Sequence, residues 1–321
     1  MAEQYIYAAA RIHAMENALL SMQDIEQLLS LKSYNDCVNM LLEKGYDCGS
    51  AESVDEIVKN ERIKLRKLIS ELTNDMSVFD IFLYENDFHN LKAAIKLLVS
   101  GDKAERVFVN DATVPVELIE KAVEEKDYSR LPEFLRGAAE KAQSALLETG
   151  DGGLCDVIVD KAYLEELVRA GERQENHFLK DYANTCAALA DIRIAVRGAR
   201  LEKTQEFFMR SLADCPGIDA AALAAAAAKG TDELCEYLET TRFSEAATMS
   251  KESFAAFEKW CDDVLMREIK KQKSDLFTVA PIAAFWLGKE AELKAVGLVL
   301  TAKQNHLDEN VIRERLRELY V

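Results

Sequence analysis

Apolar positions along the chain recur at steps of three and four residues, and hardly anywhere at steps of two. Tyr5, Ala8, Ile12, Met15 and Leu19 form one such stripe, which predicts an amphipathic helix whose apolar face another element must cover. Arg11 and Glu16 fall off that stripe. Shorter helices are predicted over residues 23–31 and 35–44, the second closed by Gly45 as a C-cap. Ser53, followed by Glu56, marks the N-cap of a long helix reaching about Asn74, with Leu65, Leu68 and Leu72 inside. Its outer face carries Lys59, Arg62, Lys64, Arg66 and Lys67, a pattern expected of a solvated helix face. Further helices are predicted around 164–168, over the Ala-rich run 220–229, through Phe254, Phe257, Cys261 and Val264, and from Pro281 onward. Thr231 or Asp232, and Asp308, have the chemistry of caps. The run Gly150-Asp151-Gly152-Gly153 predicts a flexible connection, and the β-branched stretch 156–159 after it predicts a helix entry.

A longer rhythm overlies these helices. Asn90-Leu91-Lys92 returns as Asp191-Ile192-Arg193 and again as Glu292-Leu293-Lys294, both times after 101 residues and each time inside a long helix-forming run. Every copy places an acid or amide, then an aliphatic, then a base. Four residues beyond the base site, Lys96 and Arg197 also agree, whereas the third copy has Leu298. Pro115 and Pro216 keep the same interval, and each is expected to open a helix with an acid just inside it, Glu117 and Asp219. A weaker echo links Leu41 and Tyr46 to Leu238 and Phe243. The expectation is an all-α protein made by copying one helical module three times, with units at 1–111, 112–213 and 214–321 in a pseudo-threefold arrangement.

Composition narrows the field further. The 321 residues are 49% hydrophobic and 30% charged, enough for more than one core. Only 4 prolines and 13 glycines occur, against roughly 16 and 22 for average usage, which favours helix throughout. A net charge of −17 argues against nucleic acid and points to protein partners of a basic kind. No uncharged apolar run reaches the length of a membrane span, and the start Met1-Ala2-Glu3-Gln4 lacks the features of a signal peptide, so a cytoplasmic location is expected. Seven cysteines without any CxxC fit reduced, packed thiols.

A search for reaction chemistry finds none. His13, His89, His177 and His306 are far apart in sequence and form no HExxH, so no metal site is expected. Asp262-Asp263 is half of a DDxxD pattern with Met266 in the third acid position, and is expected to be a solvated pair. No GxSxG, phosphate-binding loop or Cys-His pairing occurs, so no catalytic residue and no cofactor is expected. Lys92, Arg193 and Lys294 are the candidates for structural ion pairing or partner contact, joined by the acid Glu292 and by Arg11. On a helix, residues two apart do not face one another, so any pairing of these bases must run between helices.

The opening run from Tyr5 to Glu16, the Asn90-Leu91-Lys92 helix, and the segment from Pro281 to Arg317 with Lys289-Glu290-Ala291-Glu292-Leu293-Lys294 and Lys303-Gln304-Asn305 resemble the C subunit of the A/V-type ATPase or ATP synthase, the counterpart of the eukaryotic d subunit. Ala10 stands where an Asn often precedes the Arg, and His13 where a second Arg is common. The resemblance implies a funnel of three helical domains, seated as a socket on the membrane proteolipid ring and receiving the central stalk subunits of the D and F type. It implies no active site and a place on the cytoplasmic face of the membrane. A helical-repeat scaffold unrelated to rotary ATPases is the alternative.

Overall fold

The computed structural model describes residues 2–49, 51, 53–101 and 107–321; Met1 of the opening tetrapeptide lies outside them. The described residues form helices joined by short turns, with an isolated bridge between Cys215 and Ile218 as the only β-type pairing. In chain order the first four helices are α1 (Ala2–Glu16), α2 (Met22–Ser30), α3 (Tyr34–Glu43) and α4 (Val54–Leu72). They are followed by α5 (Tyr84–Ser100), α6 (Val116–Glu125), α7 (Glu133–Thr149), α8 (Gly152–Glu172) and α9 (His177–Arg200). The remainder are α10 (Gln205–Ser211), α11 (Ala220–Lys229), α12 (Thr231–Glu239), α13 (Glu245–Glu252), α14 (Phe254–Lys270), α15 (Ala280–Gln304) and α16 (Glu309–Arg315).

These helices make two compact units: Met1–Met76 with Met249–Val321, and Ser77–Thr248. In the first unit α15 is the central element, packed by α1, α2, α3 and α4, and it is buried nearly all round from Ala280 to Trp286. The apolar character of that first stretch on every face is what a surrounded segment of helix requires. The core there joins Leu28, Cys37 and Leu41 from the N-terminal helices to Leu293, Val296 and Val299 of α15. In the second unit α8 packs on α5, α7 and α9, over a core that includes Leu91, Ile95, Leu135, Ala139, Cys155 and Val159. The expected limits at 111 and 213 both fall inside this second unit.

Local chemistry explains most helix ends. The side chains of Ser53 and Asp308 accept hydrogen bonds from the backbone N–H groups of Glu56 and Asn310, as expected of N-caps. Pro281 sits in the first turn of α15, where its missing N–H costs nothing. Several expectations need correction. Pro115 precedes α6 directly, but Pro216 stays in the turn before α11, whose N-cap is Asp219. Neither Thr231 nor Asp232 caps α12; Gly230 does, and both residues belong to the helix. Gly152 and Gly153 are not a loose link but the first turn of α8, held by Asp151, whose carboxylate accepts from the N–H groups of Gly153 and Leu154.

The basic face of α4 is not wholly solvated. Arg62 pairs with Glu290 at 2.9 Å, and the Arg66 guanidinium lies 5.9 Å from the centre of the Trp286 ring. Asp262 and Asp263 are likewise engaged: Arg317 pairs with Asp262 at 2.7 Å, and the N–H of Glu318 donates to Asp263 at 3.2 Å. In both places the side chain meets a neighbour from a distant part of the sequence. No helix is long and apolar enough to cross a membrane among the described residues.

Candidate functional site: three buried clamps and a basic groove

Each triplet lies inside a long helix, α5, α9 or α15, and the helical repeat dictates what its three members do. Successive residues are rotated by about 100°, so residues two apart point to nearly opposite sides. Asn90, Asp191 and Glu292 are all buried, at 0%, 0% and 1% exposure, as are the aliphatics Leu91, Ile192 and Leu293. The bases are thereby turned outward: Lys92 and Arg193 are half-buried and Lys294 is exposed.

A buried polar side chain must find partners, and all three find them in the backbone of a segment that leads into another helix. On α5, Asn90 accepts from the N–H of Val109 and donates to its carbonyl, both at 2.8 Å, ahead of α6. Asp87, one turn earlier and fully buried, accepts from the N–H groups of Thr113 and Val114 at 2.9 and 2.8 Å and from the Thr113 hydroxyl at 2.6 Å. On α9, Asp191 accepts from the N–H of Ala213 at 3.1 Å, ahead of α11, and from the Cys215 thiol at 3.7 Å. On α15, Glu292 accepts from the N–H of Leu20 at 2.7 Å, at the entry to α2. The last long helix thus clamps the start of the chain, just as α5 and α9 clamp the segments downstream of them.

The electrostatics of the three clamps differ. Asn90 is a neutral amide. Asp191 has no ion-pair partner among the described residues, and burial raises its pKa to about 7, against the opposing pull of its hydrogen bonds from Ala213 and Cys215. Glu292 is met by Lys289 at 2.6 Å and by the Tyr46 hydroxyl, while Lys289 reaches Glu61 at 3.3 Å and sits 4.2 Å from the centre of the Tyr46 ring. Burial and then the charge of Glu292 push the Tyr46 phenol well above its ordinary range, so it stays a donor. Phe243, which echoes Tyr46 in the sequence, is buried but has no hydroxyl to give.

The structure brings two of the candidate bases together. Lys92 and Arg193 line one groove of about 530 Å³ in the second unit, between α5, α8, α9 and α10. Lys92 pairs there with Asp160 of α8 at 2.7 Å, the between-helix pairing that helical geometry requires. Arg197 and Lys203 also line it. Gly198 lets α10 approach: a Cβ at that position would fall 2.4 Å from the Phe208 ring. Lys294 and Arg11 are elsewhere. Lys294 makes no ion pair among the described residues, and Arg11 pairs with Glu71 across to α4 at 2.8 Å, both side chains well exposed. Sequence reasoning missed Asp87, Tyr46, Lys289 and Glu61. Tyr46 left a trace through its echo in Phe243, and Lys289 only as part of the run that carries the family resemblance, with no role assigned to it. Among the described residues no group of three or more His, Cys, Asp or Glu side chains could hold a metal.

Comparison with known proteins covers the same helices. The family model described as ATP synthase (C/AC39) subunit matches residues 8–315. The C subunit of the V-type sodium ATPase of Enterococcus hirae is 23% identical, with 96% of this chain and 97% of that relative aligned. The C subunit of the V-type ATP synthase of Thermus thermophilus is 25% identical over 95% of each chain. The C subunit of the A-type ATP synthase of Methanocaldococcus jannaschii is 23% identical over 98% of this chain and 86% of its own. With the family model spanning all three clamps, and relatives aligned nearly end to end, the chain belongs to the ATP synthase (C/AC39) subunit family.

Proposed function

We propose that this chain is a non-catalytic rotor subunit of an A/V-type ATPase or ATP synthase, a socket that couples the central stalk to the membrane proteolipid ring during rotary ion transport. The observation that carries this reading is the clamp repeated at one interval on α5, α9 and α15, the third copy tying the end of the chain back to Leu20. A piece that passes torque between two other parts must resist deformation, and fully satisfied buried polar contacts between distant segments supply that stiffness. The names of the relatives, each the C subunit of a V- or A-type complex, support the same assignment.

In this reading the modules 1–111, 112–213 and 214–321 stand around a pseudo-threefold axis as a funnel. The stalk subunits of the D and F type enter its hollow, and the ring meets its other end. The protein sits on the cytoplasmic face of the membrane and is held there by the complex. A threefold body on a ring of many identical subunits cannot match every contact, so its ring contacts are spread out and polar.

Deleting the chain tests the proposal. ATP hydrolysis by the detached head should persist while ATP-driven ion transport in membrane vesicles is abolished, and the protein should co-purify with the membrane ATPase. Transport that survives deletion would falsify the socket reading in favour of a free helical scaffold.

A further inference from the structure

We infer that the connection between α10 and α11 is a proton-operated latch, which Asp191 holds shut as a neutral carboxylic acid and releases when its proton leaves. The inference goes beyond the rotor-subunit reading and stands without it.

The connection, residues 212–219, has no helix of its own, yet Leu212, Ala213, Cys215 and Ile218 are buried. Its polar hold on α9 is narrow. The Ala213 N–H donates to Asp191 at 3.1 Å, and the Cys215 thiol, a weak donor, lies at 3.7 Å. Irregular segments tied by so few hydrogen bonds are the ones that open by themselves.

The supply of donors is the main ground. An ionised carboxylate can accept about four hydrogen bonds, and once buried it keeps its charge only where donors or a cation answer it. Asp87 receives the N–H and hydroxyl of Thr113 and the N–H of Val114. Glu292 receives the Leu20 N–H, the Tyr46 hydroxyl and the Lys289 ammonium. Asp191, at 0% exposure, receives one good bond and one long one, too little for an anion and enough for an acid. Asn90 of the first triplet shows that a neutral group does this work, since its oxygen accepts from the Val109 N–H.

The neighbours of Asp191 leave it neutral. One turn away on α9 stand Ala187, Ala188, Ile194 and Ala195. From α8, Lys161 donates to the Met209 carbonyl at 3.2 Å and acts on Asp191 only through its charge, which Asp214 opposes. The buried side chains of α10, α11 and α12 are Phe208, Ser211, Leu223, Ala224, Ala227, Leu234, Cys235 and Leu238, and the charged ones of these helices are exposed. Tyr237 bonds to Asp219 at 3.2 Å, and Arg242 lies 4.6 Å from the centre of the Phe243 ring and donates to the Thr185 hydroxyl at 3.4 Å. Burial therefore prevails and holds the Asp191 carboxyl up at about 7.

Once the connection is released, Asp191 meets water and returns to the ordinary 3.8. Between those two values release frees a proton, so the ratio of open to closed connection rises by up to about tenfold per pH unit; above 7 the closed form is ionised too, and the ratio levels off. Acid tightens the latch.

Hydrogen–deuterium exchange of the full chain, corrected for intrinsic rates and read by mass spectrometry, tests this, with the Ala213 amide as the direct reporter. The peptide over 212–219 should be protected about tenfold more at pH 5 than at pH 6, and equally at pH 8 and 9. At pH 6 it should exchange at least about tenfold faster than the α7 peptide over 133–149, because it opens without the rest of the unit. Asp191→Asn should make its protection independent of pH from 5 to 8. Equal protection of the wild-type peptide at pH 5 and 6 overturns the latch, and this profile decides even if the variant fails to fold. A folded Asp191→Asn that keeps the wild-type pH dependence also overturns it. So does protection as strong as that of α7, which would mean that the connection opens only when the whole unit unfolds.

Discussion

The second unit holds its two clamps with a neutral amide and a carboxyl that has no ion pair among the described residues. The first unit holds its single clamp with a carboxylate inside a network of four side chains. Asn90 spends both halves of its amide on one residue, Val109, and brings no charge into the core. Asp191 brings a charge that burial opposes, which is why its pKa lies near 7. Glu292 keeps company with Lys289, Tyr46 and, through Lys289, Glu61. One station in the repeat therefore tolerates three chemistries, provided the buried polar group is answered in its own surroundings. What is common to the three is the geometry of the backbone contact, and what varies is the means of neutralising the group that makes it.

The largest effect that would break this comparison is expected at Glu292. Glu292→Ala leaves Lys289, only 12% exposed, with Glu61 alone, and strips acceptors from Leu20 and Tyr46. Loss of one partner from a buried ion pair costs about 3–5 kcal/mol, to be read from the urea unfolding transition. Glu292→Gln, which can still accept from Leu20, should lose less. A loss from Glu292→Ala no larger than that of a surface substitution would show that the third clamp holds nothing.

A smaller effect, with a pH signature, is expected at Asp191. Its folded pKa of about 7 lies above the ordinary 3.8, so between those values the folded chain holds a proton that the unfolded chain has released. The stabilising contribution is whole below about pH 4 and is lost as pH rises through 7. Asp191→Asn, which copies the amide of the first clamp, should remove this loss and gain on wild type by a few kcal/mol, on the order of 1.4 kcal/mol for each pH unit crossed. Stability curves for the two proteins that stay parallel from pH 4 to 8 would refute the assignment.

The smallest effect sharpens the register itself. Gly101 and Glu202 come after α5 and α9 at the repeat interval, and both are left-handed, with φ of 74° and 51°. Only glycine takes that conformation without a Cβ penalty, so Glu202→Gly should raise stability by up to about 1 kcal/mol, and Gly101→Ala should lower it by a similar amount. Thermal midpoints moving the other way would show that the two turns are not equivalent.

Local rules account for what was legible in the residues. The caps at Ser53 and Asp308 and the proline at the start of α15 act within a few residues of themselves, so their chemistry can be read in place. Expectations failed where two local rules competed. Gly152 and Gly153 suggested a loose link, but Asp151 satisfies their amides and draws them into α8. Gly230, at a φ of 136° that side chains rarely adopt, displaces Thr231 as the cap of α12. Lys64 and Asp263 have partners within a turn, Glu61 and Lys259, but Arg62 and Asp262 looked solvated because their partners lie far along the chain. Glu290 answers Arg62 from 228 positions away, and Arg317 answers Asp262 from 55.

By itself, the sequence determined that this chain is helical, where most helices begin, and that one polar-aliphatic-basic triplet recurs at a constant interval, since each of these depends on neighbours or on periodicity. Tertiary structure alone decided that the polar member of every triplet is a buried clamp on a distant backbone, that Lys92 and Arg193 share a groove while Lys294 does not, and that Glu292 needs Lys289 and Tyr46. Burial and partnership are properties of segments brought together from far apart, and no count of residues along the chain contains them.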